Sequence, residues 1–391
     1  MSEHLDFILA CLDRSETIAE ICDRFGISEK TGHKRLRRFR EEGVEGIADR
    51  SRARLTHPYR ITDEVKAEII RIRKRHREYG PKMIRDILLQ RDSSRHWPAA
   101  SSIGELLKRE QLVKPRRRRK SNAHSSFINT GRTPASEPNT VWTADFKGQF
   151  RLSGNGVYCF PLTVMDLATR YLITCTALES TAVASVEKIF GRLFKEQGLP
   201  QVIRTDNGVP FCQPNALGRL GRLGFWWVRL GIKPEHIKPA TPSENGAHER
   251  FHKTLKATAT KPASSSMEAQ QRRFDSFKTE YNEHRPHTSL AGHRPPGTSY
   301  STSPREYPKK LPVIDYPTHW EVRLVSSNGQ FKWKDCAMHL SANLAGQYVG
   351  ISESQSSDDV LTVSYGALEL GEIELEPAIR FSPRLRWTGP L

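Results

Sequence analysis

The sequence predicts a multidomain chain: N-terminal all-α units of helix-turn-helix type, a central α/β core and a small C-terminal β-barrel. Three observations carry that prediction. Apolar residues recur at helical spacing through the first part of the chain, short β-rich runs surround a long helical stretch in the middle, and β-formers dominate after about Pro312.

The first segment, 1–54, opens with Leu5, Ile8, Leu9 and Leu12 at helical spacing, which predicts one apolar stripe. In Thr17–Ser28, Ala19 lets two helices approach, Gly26 permits the sharp turn, and Ser28 caps the next helix. Lys30, Lys34, Arg35, Arg37 and Arg38 decorate that helix. This is helix-turn-helix logic, in which the second helix enters the major groove. A plain helical hairpin with a solvated basic face is the alternative.

A second helix-turn-helix-like unit is expected over 60–114. Thr62 caps a helix with Val65, Ile69, Ile70 and Ile72; Gly80-Pro81 breaks it; Met83, Ile84, Ile87 and Leu88 resume the stripe. Ser101–Arg109 has the look of another groove-reading helix. Residues 115–138 read as a flexible basic linker. Arg116, Arg117, Arg118, Arg119 and Lys120 repel one another and suit a polyanion, or serve only solubility.

Over 139–300 the pattern is α/β. Val157–Met165 and Tyr171–Thr176 read as strands, Thr181–Gln197 as a helix ended by Gly198, and Gln201–Ile203 as a further strand. From 312 to 391 the runs Trp320–Val325, Gln347–Ile351 and Val360–Tyr365 suggest a small barrel, with Ser327-Asn328-Gly329 as a hairpin turn. DNA contact and a packing or oligomer role are equally open for it.

The chain has 391 residues and a net charge of +17. Such an excess argues for a polyanionic partner, with double-stranded DNA the expectation. A membrane is not expected, because no apolar run approaches the roughly 18–20 residues a span needs. The N-terminus lacks a basic start, so no signal peptide is expected and a cytoplasmic location fits. Cys11, Cys22, Cys159, Cys175, Cys212 and Cys336 are scattered without a CxxC pair, which suggests buried free thiols and no zinc module.

Three acidic groups on three separate elements hold the chemistry. Asp145 lies in the strand-like run Val141–Phe150, Asp206 follows the Gln201–Ile203 strand in Asp206-Asn207-Gly208, and Glu249 lies on a helix beginning near Asn245. Two divalent ions about 4 Å apart can activate an attacking oxygen and stabilise a leaving one. Mg²⁺ takes hard oxygen ligands and keeps waters, so a few carboxylates suffice. Taken singly, each acid is ordinary: Asp-Asn-Gly is a turn signal, a strand-end Asp is a solvated cap, and Glu249 is a helix residue.

Glu244 rivals Glu249. It would sit in the frayed first turn, whereas Glu249 lies about one turn in, with Lys253 and Lys256 at +4 and +7 on its face. Those lysines could contact phosphates or be a solvated face. Asp166, in Val164–Tyr171, is expected to organise a hairpin turn.

Trp142-Thr143-Ala144-Asp145, Thr205-Asp206-Asn207-Gly208, Asn245–Phe251 and Tyr281–His287 resemble the catalytic core of DDE recombinases, the retroviral integrases and bacterial insertion-sequence transposases. The resemblance covers roughly 135–300. It implies an RNase H-like fold, a cut-and-join reaction using two Mg²⁺ ions per site (Mn²⁺ as substitute), and Asp145, Asp206 and Glu249 as metal ligands. It also implies a homo-oligomer on DNA, an SH3-like C-terminal barrel and no small-molecule substrate. The spacing departs from the family: Glu249 follows Asp206 by 43 residues, and Gly218–Trp227 reads as a local insertion. A helix-turn-helix regulator with a degenerate core, or a nuclease of RNA hybrids on the same fold, are the rival expectations.

Overall fold

The computed structural model describes residues 2–48, 61–113, 132–154, 156–213, 219–237, 246–333, 336–353 and 360–374. The chain divides into two compact units, Met1–Thr62 and Asp63–Leu391.

The first unit holds α1 (Ser2–Asp13), α2 (Ile18–Arg24) and α3 (Glu29–Glu42). Thr17 and Glu20 form a capping box that starts α2, and the Ser28 side chain accepts from Thr31 N to start α3. Gly26 takes φ 62° in the turn between them. Phe7, Ile8, Ile21, Cys22 and Leu36 make the core. Two expectations are corrected here. Leu5, Leu9 and Leu12 are exposed, because the buried face of α1 runs through Phe7 and Ile8 instead. Ala19 is exposed and Gly32 makes the close approach: a Cβ there would lie 2.4 Å from the Cys22 sulfur.

In the second unit, α4 (Asp63–Arg75), α5 (Pro81–Arg91) and α6 (Ala100–Arg109) bury Val65, Ile69, Ile72, Ile84, Leu88, Ile103, Leu106 and Leu107. Pro81 at the first position of α5, after Gly80, is where its missing N–H costs nothing.

The central sheet contains β1 (Val141–Phe146), β2 (Phe150–Arg151), β3 (Tyr158–Asp166), β4 (Leu172–Leu178), β5 (Val202–Thr205) and β6 (Lys233–His236). β3 pairs antiparallel with β1 and β4, whereas β1–β5 and β5–β6 are parallel. Parallel pairs need crossover helices. α7 (Val183–Gln197) lies between β4 and β5, and α8 (Arg222–Arg229) connects β5 to β6. Side chains alternate across the sheet. Trp142, Ala144, Leu162, Val164 and Ile203 face a core with α7 and α8. Cys159, Met165, Leu172 and Cys175 face a second core with α9 (Gly246–Ala259) and α10 (Met267–Thr279).

The stretch read as an insertion, 218–227, is built into the fold from residue 219 onward. Its second half is the first part of α8, with Leu223 and Trp227 buried in the sheet's core and Leu220 and Phe225 buried in the C-terminal core. The region is a structural joint between the two cores.

The expected closed β-barrel is also corrected. β7 (Glu321–Leu324), β10 (Tyr348–Glu353), β11 (Val360–Tyr365) and β12 (Leu368–Glu374) form an open antiparallel sheet in the order β12-β11-β10-β7. β8 (Gln330–Trp333) and β9 (Cys336–His339) pair separately. Among the described residues no pairing joins the two sheets, and Leu220 and Phe225 fill part of the core between them.

Candidate active site

Strand pairing brings two of the three predicted carboxylates to one place. Val141–Ala144 of β1 match Val202–Thr205 of β5 in parallel register. Asp145 and Asp206 are the next residues on each, at the same level on neighbouring strands. Asp206 ends its strand in a turn: Gly208 N donates to its Oδ1 at 3.1 Å. A Cβ at 208 would lie 3.0 Å from Asp206 Oδ2, so the glycine leaves room for the carboxylate.

α9 crosses the same face. Its buried stripe is His248, Phe251, His252, Leu255 and Ala259. Glu249, Lys253 and Lys256 are exposed on it. Glu244, Arg116, Arg117, Arg118 and Arg119 lie outside the described residues.

Among the described residues, the group whose ligand atoms lie within 4.8 Å of one another is Asp145, His248 and His252, not Asp145, Asp206 and Glu249. A two-ion site separates its outer ligands by more than this. Ions about 4 Å apart with oxygens at about 2.1 Å spread opposite ligands by up to about 8 Å.

The histidines were not singled out from sequence, although His-x-x-x-His at i,i+4 places both on one helix face. Thr163 organises them. Its hydroxyl lies 2.9 Å from the Asp145 carbonyl oxygen, 2.7 Å from His248 Nε2 and 2.9 Å from His252 Nε2. The single hydroxyl proton goes to the carbonyl, which can only accept, so both Nε2 atoms must donate. The Thr143 hydroxyl lies 3.0 Å from His248 Nδ1 and 3.3 Å from the Met165 carbonyl; a neutral His248 protonated at Nε2 takes that hydroxyl proton at Nδ1, over the shorter contact. Both nitrogens of His248 are therefore engaged. His252 Nδ1 is left with its lone pair facing Asp145 Oδ2, 3.8 Å away. Burial pushes His248 down to about 3, and burial with the nearby His248 and Lys147 pushes His252 down to about 2. Both imidazoles are neutral at physiological pH, and of the pair only His252 can join Asp145 around a cation.

Lys147, two residues beyond Asp145, completes this side. Burial and the neighbouring Lys256 lower its pKa, while Asp145 raises it. The predicted Lys256 thus lies within electrostatic reach of the β1 end.

Asp166 behaves as expected of a turn organiser. It accepts from Asn139 N, Thr169 N and the Thr169 hydroxyl at 2.7–2.8 Å and is fully buried. Burial raises its pKa against those hydrogen bonds.

On α3, Lys30, His33, Lys34, Arg37 and Arg40 are exposed, a stripe at 3–4-residue spacing. Arg35 and Arg38 are half-buried instead: Arg35 lies 2.7 Å from His4 Nε2, and Arg38 donates to Ala48 O at 2.6 Å. His33 and Arg40 belong to the exposed face but were not singled out from sequence.

Among the described residues, no helix is long and apolar enough to cross a membrane. Two family models described as Integrase core domain match residues 135–242 and 230–296. A Helix-turn-helix domain model matches 5–54 and a Homeodomain-like domain model matches 31–107. The chain is 24% identical over 284 residues to the 39.2 kDa protein of insertion element IS476 from Xanthomonas euvesicatoria, covering 72% of this chain and 78% of that one. It is 26% identical over 154 residues to the 31.7 kDa protein of insertion element IS407 from Burkholderia multivorans, covering 39% of this chain and 52% of that one. A Pol polyprotein of Feline endogenous virus ECE1 is 28% identical over 142 residues, 36% of this chain and 13% of its own. Among solved structures, the HTLV-2 integrase catalytic core domain in complex with magnesium overlays with TM-score 0.33 and 14% identity, covering 42% of this chain and 98% of its own. Residues 135–296 match the integrase core domain, and these matches together support a DDE-type transposase/integrase.

Proposed function

We propose that the chain is a DNA transposase that binds the ends of its element, nicks them and joins the freed 3′-hydroxyl to target DNA. The observation carrying this reading is the matched register of β1 and β5, after whose last pair, Ala144 and Thr205, the chain continues in each case with an aspartate. Asp145 and Asp206 are hard oxygen donors, and Glu249 on α9 is the third, so the donor set fits Mg²⁺, with Mn²⁺ able to substitute. Two such ions, when bound, supply activation of the attacking oxygen and stabilisation of the leaving one.

In the first step water attacks an end phosphodiester, and the bond to the 3′-oxygen breaks to leave a 3′-hydroxyl. In the second that hydroxyl attacks a target phosphodiester in line and displaces the target's 3′-oxygen. The chain's residues orient these steps. Asp145 and Asp206 would hold the ions against which the reacting phosphate lies, and Lys253 and Lys256 hold flanking phosphates. Lys147 adds a cation beside Asp145. The helical units read the terminal repeats, through Lys30, Lys34 and Arg37 on α3, with Arg116–Arg119 tracking the backbone. Two ends must react together, so the protein works as a homo-oligomer on double-stranded DNA, in a bacterial cytoplasm at the nucleoid. The working domains are 1–54, 60–114, the linker 115–138, the core 139–300 and the C-terminal 312–391.

The test is a strand-transfer assay with element-end DNA and Mg²⁺ or Mn²⁺. Asp206→Asn abolishes joining while DNA binding persists; joining at the wild-type rate overturns the reading. Glu249→Gln is dead and Glu244→Gln active; the reverse result moves the third ligand to Glu244.

A further inference from the structure

On the flank of α9 away from Asp145 lies a cavity of about 770 Å³. Arg250 from α9, Arg170 from the β3–β4 turn and Arg285 beyond the π-helical turn at Glu280–His284 line it. Their guanidinium groups share one environment: burial, Arg170, Arg285 and Arg250 together push the His287 imidazole down to about 4. Arg250 also lowers the pKa of Arg170, which burial already depresses.

Arg170 is held in place by its turn. It takes φ 63°, between the Thr169 hydroxyl that Asp166 binds and the Tyr171 carbonyl that accepts from Asp166 N. Its Nη1 is buried and has no hydrogen-bond partner. Arg285 is stacked with its guanidinium 5.1 Å from the Tyr79 ring centroid. Among the described residues none of the three arginines forms an ion pair with a carboxylate, although Asp166 acts on Arg170 at longer range. Three like charges around one cavity repel one another without a counter-anion. Guanidinium groups match the oxygens of a phosphate in pairs.

α9 carries Glu249 and Arg250 in succession, about 100° apart around the helix. A helix with its side chains is about 10–12 Å across, and one DNA strand advances about 3.4 Å per phosphate. A strand lying over the exposed ridge of α9 therefore reaches both flanks within about three nucleotides.

We propose that Arg170, Arg250 and Arg285 form a phosphate-binding site that holds a backbone phosphate of DNA about three nucleotides from the bond placed at Glu249. The site rests on the reading of the chain as a DNA-joining enzyme, but its test is independent of joining.

The test measures binding of the full chain to a fluorescein-labelled duplex of about 30 base pairs by anisotropy, over a KCl series. Each phosphate neutralised adds about 0.9 to the slope of log affinity against log salt. Arg250→Gln, at an exposed position, reduces the slope by about 0.9 and the affinity at 0.15 M KCl by about fivefold. Arg170→Asn does the same, asparagine being at ease at positive φ. The double variant loses no more than either single one, because one phosphate is shared. Slopes equal to the wild type in both single variants overturn the site. Inorganic phosphate is titrated in parallel. If it raises the wild-type Tm through these arginines while the DNA slopes of the variants stay unchanged, the cavity takes free anions and the DNA assignment is overturned. Slope loss in a chain that cannot join strands keeps this site and sinks the catalytic reading instead.

Discussion

At the residue scale, Thr163 is the centre of the site. One hydroxyl, saturated by three partners, sets the tautomers of two histidines and points one lone pair at Asp145. Removing it leaves two imidazole N–H groups and a carbonyl without their shared partner, at a cost of about 1–3 kcal/mol for each group left unpaired. Thr163→Val is therefore expected to lower stability by a few kcal/mol in urea unfolding, whereas Thr163→Ser keeps most of it. The histidines also set a pH limit. Their folded pKa values, about 3 and about 2, lie below the unfolded value of 6.5, so the unfolded chain binds more protons on acidification. Stability is fully present above pH 6.5 and falls as pH drops below it, by about 1.4 kcal/mol per pH unit for each group. Urea midpoints measured from pH 7.5 to 4.5 should show the fall, and His248→Asn should about halve it, His252 remaining; a wild-type midpoint that does not change sinks the assignment of neutral buried histidines.

At the element scale, α8 does the most with the fewest residues. Its eight residues, Arg222–Arg229, bury Leu223 and Trp227 on the sheet and Phe225 against the C-terminal strands. Arg229 adds a hydrogen bond to Pro312 O at 2.8 Å. Trp227→Ala is expected to cost about 3–5 kcal/mol. Phe225→Ala should loosen the C-terminal sheet first, read as faster amide exchange in β10 and β11 than in β1 and β5. Equal acceleration in both would show that α8 is not the joint. In α3, Gly32 has no room for a methyl group beside Cys22, so Gly32→Ala should destabilise Met1–Thr62 by about 1–3 kcal/mol, measured on the thermal transition of the whole chain.

At the scale of the whole molecule, charge and fold point the same way. A net charge of +17 over an integrase core with helix-turn-helix units demands a salt-dependent hold on DNA. Lys34→Gln, on the exposed face of α3, should reduce the salt slope of binding. Arg35→Gln should leave the slope nearly unchanged, because Arg35 is turned towards His4. Equal losses from both would place the DNA face elsewhere on that helix.

The sequence by itself determined the units whose signals are local. Gly26 and Ser28 mark the turn and cap of α3, and Asp206-Asn207-Gly208 marks a strand end with a tight turn. β7, β10 and β11 follow from runs of β-formers. These are decided by backbone preference and side-chain period within a few residues. Only the tertiary structure decided which arginines of α3 face out, that α8 joins two cores, and that the described C-terminal strands form an open sheet. It also brought Thr163 to His248 and His252, 85 and 89 residues away in the chain, and gathered Arg170, Arg250 and Arg285 around one cavity. Such meetings depend on strand register and on the direction in which helices cross the sheet. A one-residue slip would reverse every inward-facing side chain, and no local pattern records that register.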